Sequence, residues 1–198
     1  MCLIVVTAPV WGEKGRGGHL CVSTRMGRER QKGTVFMNID KSVFIAEGAR
    51  LVGDNITIGK DSSVWYNTVI RCGNEEHVDI GEGTNIQDLC MIHTGHGIDV
   101  KIGSGVTAGH MCLIHGCTIG DNTLIGMGSI VMDKAVIGSN CIIGAGSLVT
   151  GGTVIPDGSM AFGRPAKVVK ELTAEQVDAV RYSADLYIEE SKEHKEEQ

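Results

Sequence analysis

Residues 119–155 read IGDNTLIGMGSIVMDKAVIGSNCIIGAGSLVTGGTVI, and the spacing of their aliphatic side chains decides the fold. Ile119, Ile125, Val131, Ile137, Ile143, Val149 and Ile155 recur at every sixth position. The same step joins Ile102, Ala108 and Ile114, then Ile80, Ile86 and Ile92, and further back Val52, Ile58, Val64 and Ile70. Glycine often follows the aliphatic, as at Gly59, Gly81 and Gly103, and a small residue stands four places on, as at Thr68, Thr84, Cys90, Cys112 and Ser129. A short fixed period marks stacked repeats, none of which can bury its apolar residue alone. Each repeat reads as a short strand and a turn. The aliphatic points into a narrow interior, the glycine takes a backbone shape that a Cβ opposes, and the small residue fits where the chain bends.

The composition agrees with such a frame. There are 28 glycines, while Phe, Trp and Tyr make only 4% of the 198 residues, so an ordinary aromatic core is ruled out. The pattern resembles the left-handed parallel β-helix of hexapeptide-repeat proteins, a mainly β architecture with three repeats to each triangular coil. The hand comes from that resemblance, because crossover physics alone favours the right-handed form. After the repeats the period changes. Thr173 and Gln176 form a capping box, and Val177, Val180, Ala184 and Tyr187 follow at helical spacing, which predicts a C-terminal α-helix laid along one face of the solenoid. The charged stretch 189–198 is expected to fray. The expected organisation is an atypical extension over 1–36, a β-helix domain over 37–170, and a helix with a charged tail over 171–198.

A formal charge of −6 argues against a nucleic-acid partner, which needs clustered Lys and Arg. No window approaches the ~20 apolar residues of a membrane span. The seven cysteines include no C-x-x-C pair. With no secretory signal of the usual shape, they read as reduced thiols in a cytoplasmic setting. Cys90, Cys112 and Cys141 fall in the small-residue slot and read as packed thiols. Residues 1–32 carry six Lys or Arg against Glu13 and Glu29. An idiosyncratic extension, a start at Met37 and a transit peptide all fit that stretch.

Three histidines stand out against the coil count. The steps from Ile70 to Ile80 and from Ile92 to Ile102 are ten residues, so each holds a four-residue loop. With those loops counted, Arg71, His93 and His115 each follow the same corner on successive coils, 22 residues apart. Neighbouring strands lie ~4.8 Å apart, which lets two imidazoles reach one ion. His110 falls two residues after the preceding corner, in a column with Tyr66 and Asp88. It stands too far round the coil to share that ion easily, so a second subunit must bring its own His110 to the Arg71–His93–His115 column. A three-fold oligomer closes such contacts. Three imidazoles with an open fourth position are the pattern of catalytic rather than structural zinc. His19, His77 and His194 lie elsewhere, in the N-terminal stretch, the first long loop and the charged tail.

These residues, with Asn85-Ile-Gln-Asp88, Val69-Ile-Arg71 and Gly163-Arg-Pro-Ala-Lys167, resemble the γ-class carbonic anhydrase family over roughly residues 43–187. The resemblance implies a homotrimer in which His93 and His115 come from one subunit and His110 from its neighbour. It implies Zn2+, with Fe2+ or Co2+ as substitutes, and carbon dioxide and bicarbonate as substrates. Gln87 would orient the reacting water or bicarbonate, Asn85 and Asp88 would support the site, and Arg71 would lie in an interface ion pair. A bound metal lowers the pKa of water to about 7 and so supplies hydroxide for attack on carbon dioxide. The chain departs from the family in two places. Arg71-Cys72-Gly73 stands where the family has Arg-Gly-Asp, leaving Asn74, Glu75 or Glu76 to replace the aspartate. The acidic proton-shuttle loop is replaced by Thr94-Gly-His96-Gly, which makes His96 the shuttle candidate, its ordinary pKa lying near neutrality. Tyr187 on the helix is the last candidate for the site. The rival functions are a hexapeptide-repeat acyltransferase with a histidine base, a metal-binding homologue with little or no hydratase activity, and a metal hydrolase of small esters or thioesters.

Overall fold

The computed structural model describes residues 37–197, so the N-terminal extension, with His19, Cys2 and Cys21, lies outside the described residues. The six-residue period becomes three parallel sheets wrapped around one interior. The first face stacks the strands Asn38–Ile39, Ile56–Ile58, Val78–Ile80, Val100–Ile102, Thr118–Ile119, Val136–Ile137 and Val154–Ile155. The second begins at Phe44–Ile45 and runs through Ser63–Val64, Asn85–Ile86, Thr107–Ala108, Leu124–Ile125 and Ile142–Ile143. The third stacks Arg50–Val52, Val69–Arg71, Met91–His93, Leu113–His115, Ile130–Val131 and Leu148–Val149. Every third strand is a neighbour, which is the topology of a β-helix of about seven coils.

The register matches the spacing argument. Ile80 pairs with Ile102, Ile92 with Ile114, and Ile137 with Ile155. Ile70, Ile86, Ile92, Ile114, Ile125 and Ile143 are all fully buried. Each such side chain contributes roughly 1.5–3 kcal/mol by leaving water, so a row of thin coils adds up to a continuous core without aromatic residues. The small-residue slot is equally closed. Thr68 donates its hydroxyl to the Gln87 carbonyl at 2.6 Å, and the Cys90 and Cys112 thiols donate to the Gly109 and Gly126 carbonyls at 3.2 and 3.3 Å. All five described cysteines are free and buried, and burial pushes the Cys117 thiol up to about 12.

The first coil departs from the expected spacing by one residue. Leu51, not Val52, pairs with Ile70, while Val52 pairs with Arg71 and is exposed. A one-residue slip in a strand turns every side chain to the opposite face, so the repeat extends back to residue 38 only with Leu51 as its inward residue. A further difference lies at the other end. The last coil closes with an antiparallel hairpin, Ser159–Gly163 with Ala166–Glu171, that the six-residue period does not announce.

The helix spans Ala174–Glu197 and packs on the first four strands of the second face. Its start is capped as expected, the Thr173 N–H donating to Gln176 Oε1 at 3.3 Å and the Gln176 N–H to Thr173 Oγ1 at 3.4 Å. Val180 and Ala184 are buried against the solenoid. The helix does not fray at 189. The His194 ring lies 5.2 Å from Trp65, edge to face, with its Nδ1 3.2 Å from the Tyr66 hydroxyl. Lys195 Nζ donates to the Lys41 and Ser42 carbonyls at 3.0 and 3.2 Å. No helix of the described residues is long and apolar enough to cross a membrane.

Candidate metal centre

The parallel register carries Arg71, His93 and His115 into one column, Arg71 pairing with His93 and His93 with His115. His93 Nδ1 lies 3.0 Å from His115 Nε2, with ring centroids 4.9 Å apart. Two nitrogens bound to one tetrahedral zinc at ~2.05 Å stand about 3.3 Å apart, so the pair is already close to the edge of a coordination tetrahedron. Burial, then the positive charge of Arg71 beside it, holds the His93 imidazole below its ordinary pKa. It is therefore neutral near pH 7, as a ligand must be. Arg71 itself is exposed at the end of its strand.

His115 has a partner that the spacing argument did not name. Its Nδ1 bonds to Asp133 Oδ1. The step from Ile114 to Ile119 is five residues, so this coil is one residue short and Ile114 pairs with Val131. The column therefore continues to Met132, and Asp133 sits one place beyond it, turned back over Gly116 toward the ring. An acidic residue one coil on from a candidate ligand was the available signal, masked by the change in coil length.

His110 lies in the turn between the second and third faces. Its Nδ1 bonds to Asp88 Oδ2 at 2.8 Å, which leaves Nε2 as the ring's second nitrogen on a side chain 39% exposed. The buried residues behind it fix the backbone. Gln87 Oε1 accepts the His110 N–H at 3.2 Å, Gln87 Nε2 donates to Asn85 Oδ1 at 3.1 Å, and Asn85 Nδ2 donates to Thr107 Oγ1 at 2.9 Å. Gln87 thus braces the turn that carries His110. Within one chain, no three His, Cys, Asp or Glu side chains of the described residues converge on a point that could hold a metal. The structure brings His93 and His115 together, and His110 stands apart with its own carboxylate.

The two long loops stack beside the histidine column. Glu76 Oε1 accepts the Gly97 N–H at 2.8 Å, and the Gly73 N–H donates to Thr94 Oγ1 at 3.0 Å. The Glu76 carboxylate stands where a side chain at position 73 would lie, 1.8 Å from a Cβ built there. It therefore fills the space of the missing aspartate, but it serves the turn Gly95–Ile98 and makes no ion pair with Arg71 among the described residues. His96 is exposed at the tip of that turn, close enough that its charge bears on both Glu76 and His93. Tyr187 packs edge to face on Trp65 at 5.5 Å, and burial, with the charges of Glu190 and Asp88 nearby, raises its pKa.

The donor set suits a borderline metal of the zinc type. The three imidazoles offer nitrogen ligands, and His110 and His115 each give Nδ1–H to a carboxylate, the arrangement that fixes Nε2 as the metal-binding atom.

Residues 116–151 match the bacterial transferase hexapeptide (six repeats) family. A Methanocaldococcus jannaschii protein named "Probable carbonic anhydrase" is 47% identical over 150 residues, covering 76% of this chain and 93% of its own. Gamma carbonic anhydrase 2, mitochondrial, of Arabidopsis thaliana is 38% identical over 182 residues, covering 87% of this chain and 64% of its own. Among solved structures, a hexapeptide transferase family protein from Anaplasma phagocytophilum superposes with a TM-score of 0.74 at 44% identity, covering 79% of this chain and 91% of that one. With its coils in register and its histidine columns in place, the chain belongs to the γ-class carbonic anhydrase family of hexapeptide-repeat proteins.

Proposed function

We propose that the protein is a metal-dependent hydratase that interconverts carbon dioxide and bicarbonate at sites shared between the subunits of a homotrimer. The carrying observation is the pair of imidazole nitrogens 3.0 Å apart at His93 and His115, with His110 fixed by Asp88 in the turn between the second and third faces. His93 and His115 of one subunit and His110 of the next would hold the ion, Zn2+ or, in its place, Fe2+ or Co2+. Such an ion supplies hydroxide at neutral pH by lowering the pKa of water toward 7. The chain's residues do the rest. Arg71, in the same column, would sit beside the ion in an interface ion pair. Asn85 and Gln87 hold the His110 turn rigid.

The surface around His110 supports the oligomer. Leu89 and Met111 adopt positive φ of 60° and are exposed at 58% and 61%. Met127 follows them on the same edge and Met132 lies beside His115, both exposed. The same positive φ recurs at this turn on the flanking coils, at Asn67 and Gly128, so the fold imposes it, and Leu89 and Met111 stand out by the long apolar side chains they expose there. A neighbouring subunit would cover these residues and shut bulk water out of an apolar substrate's path. The buried, free cysteines suit a reducing, cytoplasmic setting.

Hydration releases a proton, and His96, exposed on the neighbouring turn, would carry it. In dilute buffer, His96→Ala is expected to lower kcat about tenfold with little change in KM, and added imidazole buffer to restore it. Stopped-flow hydration assays measure this directly. Unchanged turnover in dilute buffer would remove His96 from the pathway.

A second reading has an observation of its own. The Asp88–His110 pair is the arrangement of a general base steered by a carboxylate, which an acyl transfer to an alcohol or amine also needs. Hydration assays on zinc-loaded and anaerobically iron-loaded protein, run beside acetyl-coenzyme A turnover without metal, separate the two. Hydration that depends on metal supports the hydratase. Metal bound without hydration in either form would overturn it and leave a metal-binding homologue, while metal-free acyl transfer would establish the transferase.

A further inference from the structure

We propose that Asp133 is a positioning residue that sets the metal affinity of the site by holding His115 in the tautomer whose Nε2 binds. The inference rests on the metal-site reading above and goes beyond its three ligands. Asp133 Oδ1 takes the Nδ1–H of His115, and the opposite ring nitrogen then points at His93 Nδ1, 3.0 Å away. Without the carboxylate the ring is free to exchange tautomers and to rotate, and each change removes the lone pair from the place where the ion sits.

The surrounding backbone is built to admit this carboxylate. Gly116, directly after His115, has φ of +50°, and a Cβ on it would lie 2.8 Å from Asp133 Oδ1. On the other side, a Cβ on Gly95 would lie 3.4 Å from Asp133 Oδ2. A side chain at position 116 would press on the carboxylate, while the Gly95 side leaves it ordinary contact room. The parallel with Asp88 gives the arrangement its sense. Across the proposed interface, the ligand from each of the two chains that lacks a histidine neighbour on its Nδ1 has an aspartate there instead. His93 has no carboxylate on its Nδ1, which faces His115 Nε2 instead. Outer partners of this kind contribute 10–100-fold in metal affinity.

The test is zinc affinity of the purified, metal-stripped full chain, measured by competition with a chromophoric chelator. Asp133→Ala is expected to weaken zinc binding by about 10–100-fold. Asp133→Asn, whose amide oxygen still accepts from Nδ1–H, should recover part of the loss. Gly116→Ala should reproduce the Asp133→Ala defect with every ligand present, and Asp178→Asn on the helix should bind like the wild type. The absorption bands of the cobalt-loaded protein should shift in Asp133→Ala, which a change in general stability would not cause. If His115→Ala abolishes zinc binding while Asp133→Ala binds as tightly as the wild type, the positioning role is overturned and the metal site stands. If His115→Ala itself leaves zinc affinity unchanged, the metal reading falls, and this inference with it.

Discussion

His110→Ala is expected to remove the metal and the hydratase activity while leaving the solenoid intact. The side chain is 39% exposed and fills no part of the core, so its loss creates no cavity. Stability should change by no more than about 0.5 kcal/mol, as for surface positions generally. The loss at the site is of another order. Removing a direct nitrogen ligand should exceed the ~100-fold that removal of a supporting partner produces, and hydration should fall to the uncatalysed level. Metal content by elemental analysis and a urea midpoint, measured on the same preparation, give both numbers. The combination of normal midpoint and absent metal is the informative one, because no group of three metal-ligating side chains forms around His110 among the described residues of one chain.

Ile114→Ala should have the largest effect on stability. Ile114 is fully buried and lies between Ile92 and Val131 in the stacked third face. Truncating such a side chain costs about 2–5 kcal/mol through lost burial and the cavity left behind. Each coil touches only its neighbours, so a defect in the middle of the stack weakens two interfaces at once. It also loosens the strand that carries His115. The urea midpoint should therefore fall well below that of Val136→Ala, an exposed change on the first face, for which about 0.5 kcal/mol or less is expected. Equal midpoints for the two variants would contradict the packed-core account.

The parts of the fold that follow from period were legible in the sequence, and the parts that depend on tertiary contact were not. Six-residue spacing places Ile80, Ile92, Ile114 and Ile137 correctly because each one must face the interior for its coil to bury anything. The 22-residue stacking of Arg71, His93 and His115 follows from the same count once the two loops are allowed for. Val52 misleads because the first coil has only one coil beside it, and both Leu51 and Val52 satisfy an apolar pattern there. Asp133 escaped notice because the coil that reaches it is one residue short. The end of the helix is a different kind of miss. Its composition is charged and reads as solvated, whereas His194 and Lys195 reach back to Trp65, Tyr66 and the backbone near Ser42. No local pattern records those contacts.

Glu76 shows how a departure from a family pattern can be absorbed by the fold. The position that lacks an aspartate is a glycine, and a carboxylate three residues later occupies the vacant space. Its hydrogen bond to Gly97 ties the two loops together and fixes the turn that bears His96. Within one chain the carboxylate accepts a backbone N–H, which makes the His96 turn a feature to examine beside the expected interface ion pair of Arg71.

The central claim is that each site draws ligands from two chains, and subunit mixing tests it most directly. His93→Ala and His110→Ala chains each lack a ligand and should bind no zinc alone. Unfolded together in equal amounts and refolded, they should form mixed trimers in which about a quarter of the interfaces join an intact His93–His115 column to an intact His110. Zinc content and hydration should then return to about a quarter of the wild-type level. A mixture that stays as empty and as inactive as its two components, while wild-type protein treated the same way recovers fully, would contradict a site shared between subunits.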